Sequence, residues 1–419
     1  MDSEKKGFKK LTDPDQALKL FMDNVNISPR GIELVDIRDA LNRVLSEDII
    51  SPTDSPPFNR AAMDGYAVRS VDVSGASETN PIRLRVIGES KTGEPFKGVV
   101  REGEAVRIDT GAEMPEGADA VVMVEYTRRS GDYIDVYRAV APYQNVSLKG
   151  EDVRKGDMVA YAGIPLTPFD LAAIASLGIR KVKVYSRPRI AIASVGNELV
   201  EIGSDLGEGQ IVETNRLMIK GMISEYPIKI VDYGILKDEV NDLRNFFLDA
   251  VDKSDLIIAM GGTSMGKGDL VAKVLMEIGN IIVHGVALYP ARPVILASIK
   301  GKPVIGLPGY PVAAAIAMHV FGRPIVESLC GISGYRIDSR FKGVLSRRAP
   351  SRLGLRHYAR GRLKFKDGKI IIEPVAMGGA GVLTSLSLAD GYIIVPEDRE
   401  GYEAGEEAEL ILYRRYVRG

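Results

Sequence analysis

The spacing of apolar and polar residues changes character along the chain. From Arg189 onward, short apolar runs alternate with stretches of helical periodicity: RIAIASVG, TNRLMIKGMISEY, IKIVDYGIL, DEVNDLRNFFLDAV, LIIAMGG and DLVAKVLMEIG. Unbroken apolar runs fit strands buried on both faces, and strand–helix alternation predicts a mostly parallel, doubly wound sheet. IIVHGVALYP, RPVILASIKG and KPVIGLPG predict three further strands, and YPVAAAIAMHVFGRPIVESL a closing helix. Right-handed crossovers bring every strand-to-helix loop to one edge of such a sheet.

The flanking regions read differently. Residues 13–23 and 33–45 place Leu and Ile at helical spacing, with Asp13 and Pro14 as cap and first turn of the former. The prolines of SPTDSPPFNR exclude regular structure and predict a boundary near Ser51. Ile82 to Tyr143 alternates in short segments punctuated by Gly, Pro and Asp, which predicts a small β domain, and TPFDLAAIASLG predicts a capped helix ending at Gly178. After Gly334 the strand pattern returns, predicting a small C-terminal barrel or sandwich. The expected division is a split helical and β linker domain from 1–50 and 146–186, an inserted β domain at 51–145, an α/β domain at 187–332, and a C-terminal β-barrel at 333–419.

Charge and composition narrow the chemistry. Lys plus Arg number 55 against 56 Asp plus Glu, so no global field recruits nucleic acid or an acidic membrane. One cysteine, Cys330, and three scattered histidines, His284, His319 and His357, exclude a disulfide framework and argue against zinc. Any metal is expected on oxygen ligands. MDSEKKGFKK lacks an apolar leader core and no apolar run reaches membrane-spanning length, so the expected location is cytoplasmic.

The stretch DLIIAMGGTSMGKGDL, from Asp255, runs from an apolar strand through a glycine turn into a helix. A helix N-terminus presents unpaired N–H groups and a partial positive charge, so Gly262, Thr263 and Ser264 form a candidate phosphate cradle. Lys267 does not stand in GxxxxGK[ST], so this is no Walker loop. A ligand-free glycine turn is the alternative. The loops SVGNEL and LPGYPV reach the same edge, where ligands bind in open α/β sheets. Glu198 and Asp269 there suit Mg²⁺, which takes few carboxylates plus substrate oxygens. Each also has a structural reading, Asp269 as a helix cap and Glu198 as a solvated first-turn acid. Arg292 is a candidate oxyanion donor. Asp64, Asp152 and the Thr110-Gly111 pair lie in turns that are either ligand-facing or simply solvated.

At AAMDGYAVRS, TGAEMPEGADAVV, KGEDVRKGD, GGTSMGKGD and LPGYPV the chain resembles the molybdopterin molybdenumtransferase family, which includes MoeA and the gephyrin E domain; the match runs from about residue 10 to the end. The resemblance implies an elongated homodimer with a molybdopterin-binding α/β domain. The implied reaction takes adenylated molybdopterin, cleaves the adenylate with Mg²⁺ and inserts molybdate or tungstate. It further implies Asp64, Asp152, Glu198 and Asp269 as catalytic acids, with Glu198 and Asp269 on the metal and Asp64 supplied across the dimer interface. Substrate contacts would come from Gly262, Thr263, Ser264, Arg292, Pro308, Gly309 and, from the C-terminal domain, Arg360. Contact with the molybdopterin adenylyltransferase is a further implication. The chain departs from the family where KPGKP becomes Tyr289-Pro290-Ala291-Arg292-Pro293, LPGNPV becomes LPGYPV at Tyr310, and TGDEL becomes VGNEL at Asn197. These changes weaken a basic strip and leave a non-catalytic molybdopterin-binding paralogue as the alternative function.

Overall fold

The computed structural model describes residues 11–263, 269–334, 337–375, 379–414 and 416. At its centre is a six-stranded sheet in the order Lys229–Leu236, Arg189–Val195, Leu256–Met260, Lys302–Leu307, Ile295–Ile299 and Asn280–His284. The first four strands run parallel, Ile295–Ile299 runs antiparallel to them, and Asn280–His284 pairs antiparallel with it. Alternation along one strand feeds two separate cores. Ile190 and Ile192 pack on one face with Ile219 and Ile316, whereas Ala191, Ala193 and Val195 pack on the other with Phe247 and Leu275. Burial on both faces is why these strands read as unbroken apolar runs.

The helix Pro311–Cys330, which contains a π turn at Met318–Gly322, is long and apolar enough to cross a membrane by length and composition, contrary to the expectation from the sequence. It is two-thirds buried inside the fold (67%), packed as a core helix against the sheet. Cys330 lies in that core, and burial pushes its thiol up to about 12, beyond the range of a reactive thiolate.

IIVHGVALYP is not one strand. It breaks at Gly285, which has φ of +91°, and Leu288–Tyr289 pairs instead with Arg356–His357 of the C-terminal barrel. That barrel closes through Arg356–Lys366, Lys369–Pro374, Arg340–Leu345, Glu407–Leu412 and Gly391–Val395, the last pairing back to the first. Closure removes the exposed edges that short strands otherwise leave.

The stretch 33–45, expected as a helix, forms the strand Ile32–Asp36 and a 3-10 turn at Ile37–Asp39. Ile32–Asp36 pairs antiparallel with Lys181–Tyr185, and Asp36 accepts from the Arg38 backbone to close the turn. A ladder to a segment so far along the chain overrides the local helical period. Ile49–Ile50 likewise pairs with Met158–Ala160, so two separated stretches build one unit around the inserted sheet, whose strands lie in the order Ala120–Met123, Gly65–Val68, Glu104–Ile108, Ile82–Ser90, Tyr133–Val136 and Thr127–Ser130. Pro14–Asn24 is helical as the Asp13-Pro14 pair predicts, Asp13 accepting from the N–H groups of Asp15 and Gln16. Its Ala17 and Phe21 pack into the α/β core, and Asp15 is tied to Arg356 of the barrel by two 2.8 Å hydrogen bonds.

Candidate functional site

The central sheet changes direction of growth at Arg189–Val195, which has Lys229–Leu236 on one side and Leu256–Met260 on the other. A crevice opens at the carboxyl ends of strands at such a point. Here it is a cavity of about 1030 Å³, bordered by Glu198, Asp238, Gly262, Thr263, Pro308 and Gly309 among others.

Glycines make the approach possible. Gly261 has φ of +97°, and a Cβ there would meet the Val195 carbonyl oxygen at 2.4 Å. Gly262 has φ of +65°. Both conformations suit glycine because no side chain suffers the left-handed clash. The Gly261 N–H donates to the Leu307 carbonyl at 3.0 Å, holding this turn against the LPGYPV loop. Thr263 borders the cavity at 2% exposure. Ser264, Gly266 and Lys267 lie outside the described residues.

Asp269 opens the helix Leu270–Ile278 and accepts from the Ala272 N–H at 3.0 Å, so the capping role is realised. Its other oxygen lies 3.1 Å from His284 Nε2. Asp269 is not among the residues bordering the cavity, although Leu270 is. Glu198 does border it, exposed, with its carboxylate close over Gly196. No group of three or more His, Cys, Asp or Glu poised for a metal occurs among the described residues.

Three polar residues at this site escape the motif reading. Glu213, 3% exposed, accepts from Ser194 Oγ and the Arg216 N–H, each at 2.8 Å. Asn215 opens the helix Asn215–Ile223 and donates from Nδ2 to the Gly309 carbonyl at 2.6 Å, tying that helix to the LPGYPV loop. Asp238 follows Lys229–Leu236 and forms a reciprocal pair with Asn197, each side chain accepting the other's N–H at 3.2–3.3 Å. The signals were present: Glu-Thr-Asn before a periodic stretch marks a helix start, and the carboxyl-edge rule covers the ILKDEV loop as well.

The remaining expected residues lie elsewhere. Asp64 is exposed and accepts from the Thr110 N–H at 2.6 Å and Oγ1 at 2.8 Å; those bonds, the backbone one foremost, hold its carboxyl below the usual range. This unites two loops that the sequence singled out separately. Asp152 is exposed, with Ser55 Oγ 3.5 Å away. Neither acid borders this cavity, and neither does Arg292, though Pro293 does. Arg360 is 2% exposed within the barrel strand and donates from Nε to Ser385 Oγ at 3.1 Å, with burial lowering its pKa. The C-terminal region reaches the cavity through Gly381 and Leu383 instead. Tyr289 stands away from it, its ring edge-on to His357 at a centroid distance of 4.8 Å. Three arginines of the C-terminal region are paired in place: Arg348 with Glu403, Arg356 with Asp15 and Glu397, and Arg362 with Glu373.

Comparison with known proteins bears on this arrangement. Residues 12–178 match the MoeA N-terminal region (domain I and II), 191–328 the probable molybdopterin binding domain, and 342–413 the MoeA C-terminal region (domain IV). The molybdopterin molybdenumtransferase of Haemophilus influenzae is 33% identical over 394 residues, covering 94% of this chain and 96% of that protein. The chain belongs to the MoeA family. A molybdopterin molybdenumtransferase of Staphylococcus aureus is 30% identical over 90% of each chain. The crystal structure of the molybdopterin biosynthesis MoeA protein from Pyrococcus horikoshii OT3 superposes with a TM-score of 0.83 at 36% identity, covering 96% of this chain and all of that one (100%). This MoeA-family chain therefore shares the multidomain architecture of the Pyrococcus horikoshii protein over nearly its whole length.

Proposed function

We propose that this chain is a molybdopterin molybdenumtransferase of molybdenum cofactor biosynthesis, taking adenylated molybdopterin and molybdate or tungstate and releasing AMP. The observation that carries the reading is the convergence of three rim loops, at Glu198, Gly261-Gly262-Thr263 and Pro308-Gly309, on one cavity of about 1030 Å³, ample for a nucleotide-sized ligand. The close-packed glycine backbone and Thr263 receive the phosphates. Thr263 supplies a hydroxyl donor, and the backbone approaches closely because no Cβ intervenes.

The acids present fit a Mg²⁺ ion held partly by substrate. Glu198 and Asp238 border the cavity, and Asp269 keeps lone pairs beyond those engaged by Ala272 and His284. Glu198 and Asp269 are the proposed ligands, with substrate oxygens completing the coordination. When bound, the ion would polarise the phosphate and offset negative charge as the adenylate leaves. The chain's own contribution is positioning: the Asn215–Gly309 and Glu213–Ser194 bonds hold the rim loops in register before substrate arrives.

Asp64 and Asp152 belong to the reading as groups lent to the cavity of a second subunit. Their exposure and their absence from their own chain's cavity lining support this. So does an apolar face on the linker unit: Ile32 and Leu34, two residues apart on one strand face, are 61% and 60% exposed, with Ile50, Met158 and Phe169 also bare. A homodimer, a cytoplasmic setting and hand-over from the molybdopterin adenylyltransferase complete the proposal.

Purified protein mixed with adenylated molybdopterin, Mg²⁺ and molybdate or tungstate tests it. Release of AMP together with formation of the metal-loaded cofactor is the expected result. Tight pterin binding without turnover would replace the transferase with a non-catalytic paralogue.

A further inference from the structure

Tyr310 stands in the LPGYPV loop at the cavity mouth and is the one aromatic residue among the described residues that border the cavity. It precedes the helix that Pro311 opens, in an extended conformation, and its side chain makes no capping bond. The side chain is thus not engaged in holding the helix start. It is 66% exposed.

The ring is nevertheless held from one side. Gly381, which also borders the cavity, lies so close that a Cβ there would sit 3.3 Å from Cδ1 and 3.5 Å from Cε1 of Tyr310. The Val312 N–H donates to the Ala380 carbonyl at 3.0 Å, fixing this barrel segment against the same helix start. The outcome is an aromatic ring steadied from the barrel side and left bare elsewhere. The cavity lining also carries the apolar side chains of Leu199, Ile211, Leu270 and Leu383. The same lining includes the phosphate-receiving Gly262 and Thr263. A flat apolar ring beside a phosphate cradle is the pair of features that recognises a heterocycle joined to phosphate. One element binds by π stacking and the other by N–H and hydroxyl donation.

We propose that Tyr310 is a stacking platform for the planar bicyclic heterocycle of the bound substrate, and so a specificity-determining residue of the site. The assignment rests on the cavity being the substrate site, as set out above. A purine and a pterin share the flat, electron-poor ring system concerned. The phenol hydroxyl takes no part in stacking, so phenylalanine serves equally at this position, whereas leucine keeps apolar bulk but no π face.

Calorimetric titration of the full-length protein with AMP, ribose 5-phosphate and 6-hydroxymethylpterin is the test, run on wild type, Tyr310→Phe, Tyr310→Leu and Tyr310→Ala. Circular dichroism and thermal melting establish that each variant is folded. The expected result is equal binding by wild type and Tyr310→Phe. Binding of at least one ring-bearing probe to Tyr310→Ala and Tyr310→Leu should be roughly 5- to 100-fold weaker. Ribose 5-phosphate should bind all four proteins alike. Loss confined to AMP assigns the purine to Tyr310, and loss confined to 6-hydroxymethylpterin assigns the pterin. Unchanged binding of both ring-bearing probes by Tyr310→Ala overturns the stacking role while leaving the cavity reading intact. If ribose 5-phosphate loses as much as AMP, the ring acts on the loop rather than on the ligand, and the proposal fails. If wild type binds none of the three, the cavity reading fails with it.

Discussion

Ser194 Oγ donates to Glu213 Oε1 across 2.8 Å, and the Arg216 N–H donates to the same oxygen at the same distance. This carboxylate links the end of one central strand to the first turn of the next helix, beneath the cavity. Its second oxygen lies 4.0 Å from Arg216 Nε, and Arg216 is further paired with Glu201 and Asp232. Removing the carboxylate would strand a buried hydroxyl and take one acidic neighbour from a buried guanidinium. Glu213→Ala should therefore destabilise the fold by about 2–3 kcal/mol, whereas Glu213→Gln, which keeps an acceptor at Oε1, should cost about 1 kcal/mol or less. Urea midpoints at unchanged m-value check both figures.

Gly261 makes a sharper demand. Any Cβ placed there meets a backbone carbonyl, that of Val195, at 2.4 Å, and the residue's φ of +97° strains every L side chain. Neither obstacle can be removed by rotating a side chain. Gly261→Ala should lower stability by about 2–4 kcal/mol and weaken phosphate-bearing ligands further, because the Gly261 bond to Leu307 shifts with it. Thermal melts with and without AMP separate the two effects. The control is Gly131→Ala, where φ is +61° but no atom lies within 4 Å, so only the backbone cost applies.

How far the site was legible follows from the range of its contacts. The α/β sheet declared itself in runs such as LIIAM because both of its faces are buried, and the glycine loop declared itself because Gly261 and Gly262 occupy backbone regions closed to other residues. Ile32–Asp36 did not, since its partner at Lys181–Tyr185 lies across an entire inserted domain and its own burial is slight. Tyr289 shows the same limit from the other side. The motif places it next to the oxyanion strip, yet its strand turns away after Gly285 to join the barrel. The residue at this position consequently contributes nothing to this cavity's lining. For Glu213, Asn215 and Asp238 the sequence marks a helix start and a carboxyl-edge loop, but not the contacts with Ser194, Gly309 and Asn197 that give them their roles.

His357 links the edge of that barrel to pH. Burial, with the neighbouring Arg360 charge, pushes its imidazole down to about 4. The unfolded residue titrates near 6.5. Between these values the unfolded chain binds a proton that the folded chain refuses, so acidification from pH ~6.5 to ~4 should cost stability, by at most roughly 3 kcal/mol, with no further loss from this residue below ~4. His357→Phe keeps an aromatic ring beside Tyr289 and removes the titration. The variant's stability should fall less steeply than that of wild type across this window, as read from urea midpoints at several pH values.

Asp269 carries two candidate duties that substitution can separate. It caps its helix through the Ala272 N–H, a role that asparagine fills as well as aspartate. As a proposed Mg²⁺ ligand it needs its negative charge, which asparagine lacks. Asp269→Asn should thus melt within about 0.5 kcal/mol of wild type while AMP release falls by roughly 100-fold or more. Asp269→Ala should lose the same activity and also about 1 kcal/mol of stability. Glu198→Ala, which removes no capping bond among the described residues, should lose activity at unchanged stability. Full AMP release by Asp269→Asn would reduce Asp269 to its cap and leave the metal to Glu198 and Asp238, whose pairing with Asn197 brings a single carboxylate to that side of the cavity. Replacing Asn197 by Asp then becomes the informative second step. It sets two carboxylates against each other in the absence of Mg²⁺, so the variant's melting temperature should rise more steeply with added Mg²⁺ than that of wild type.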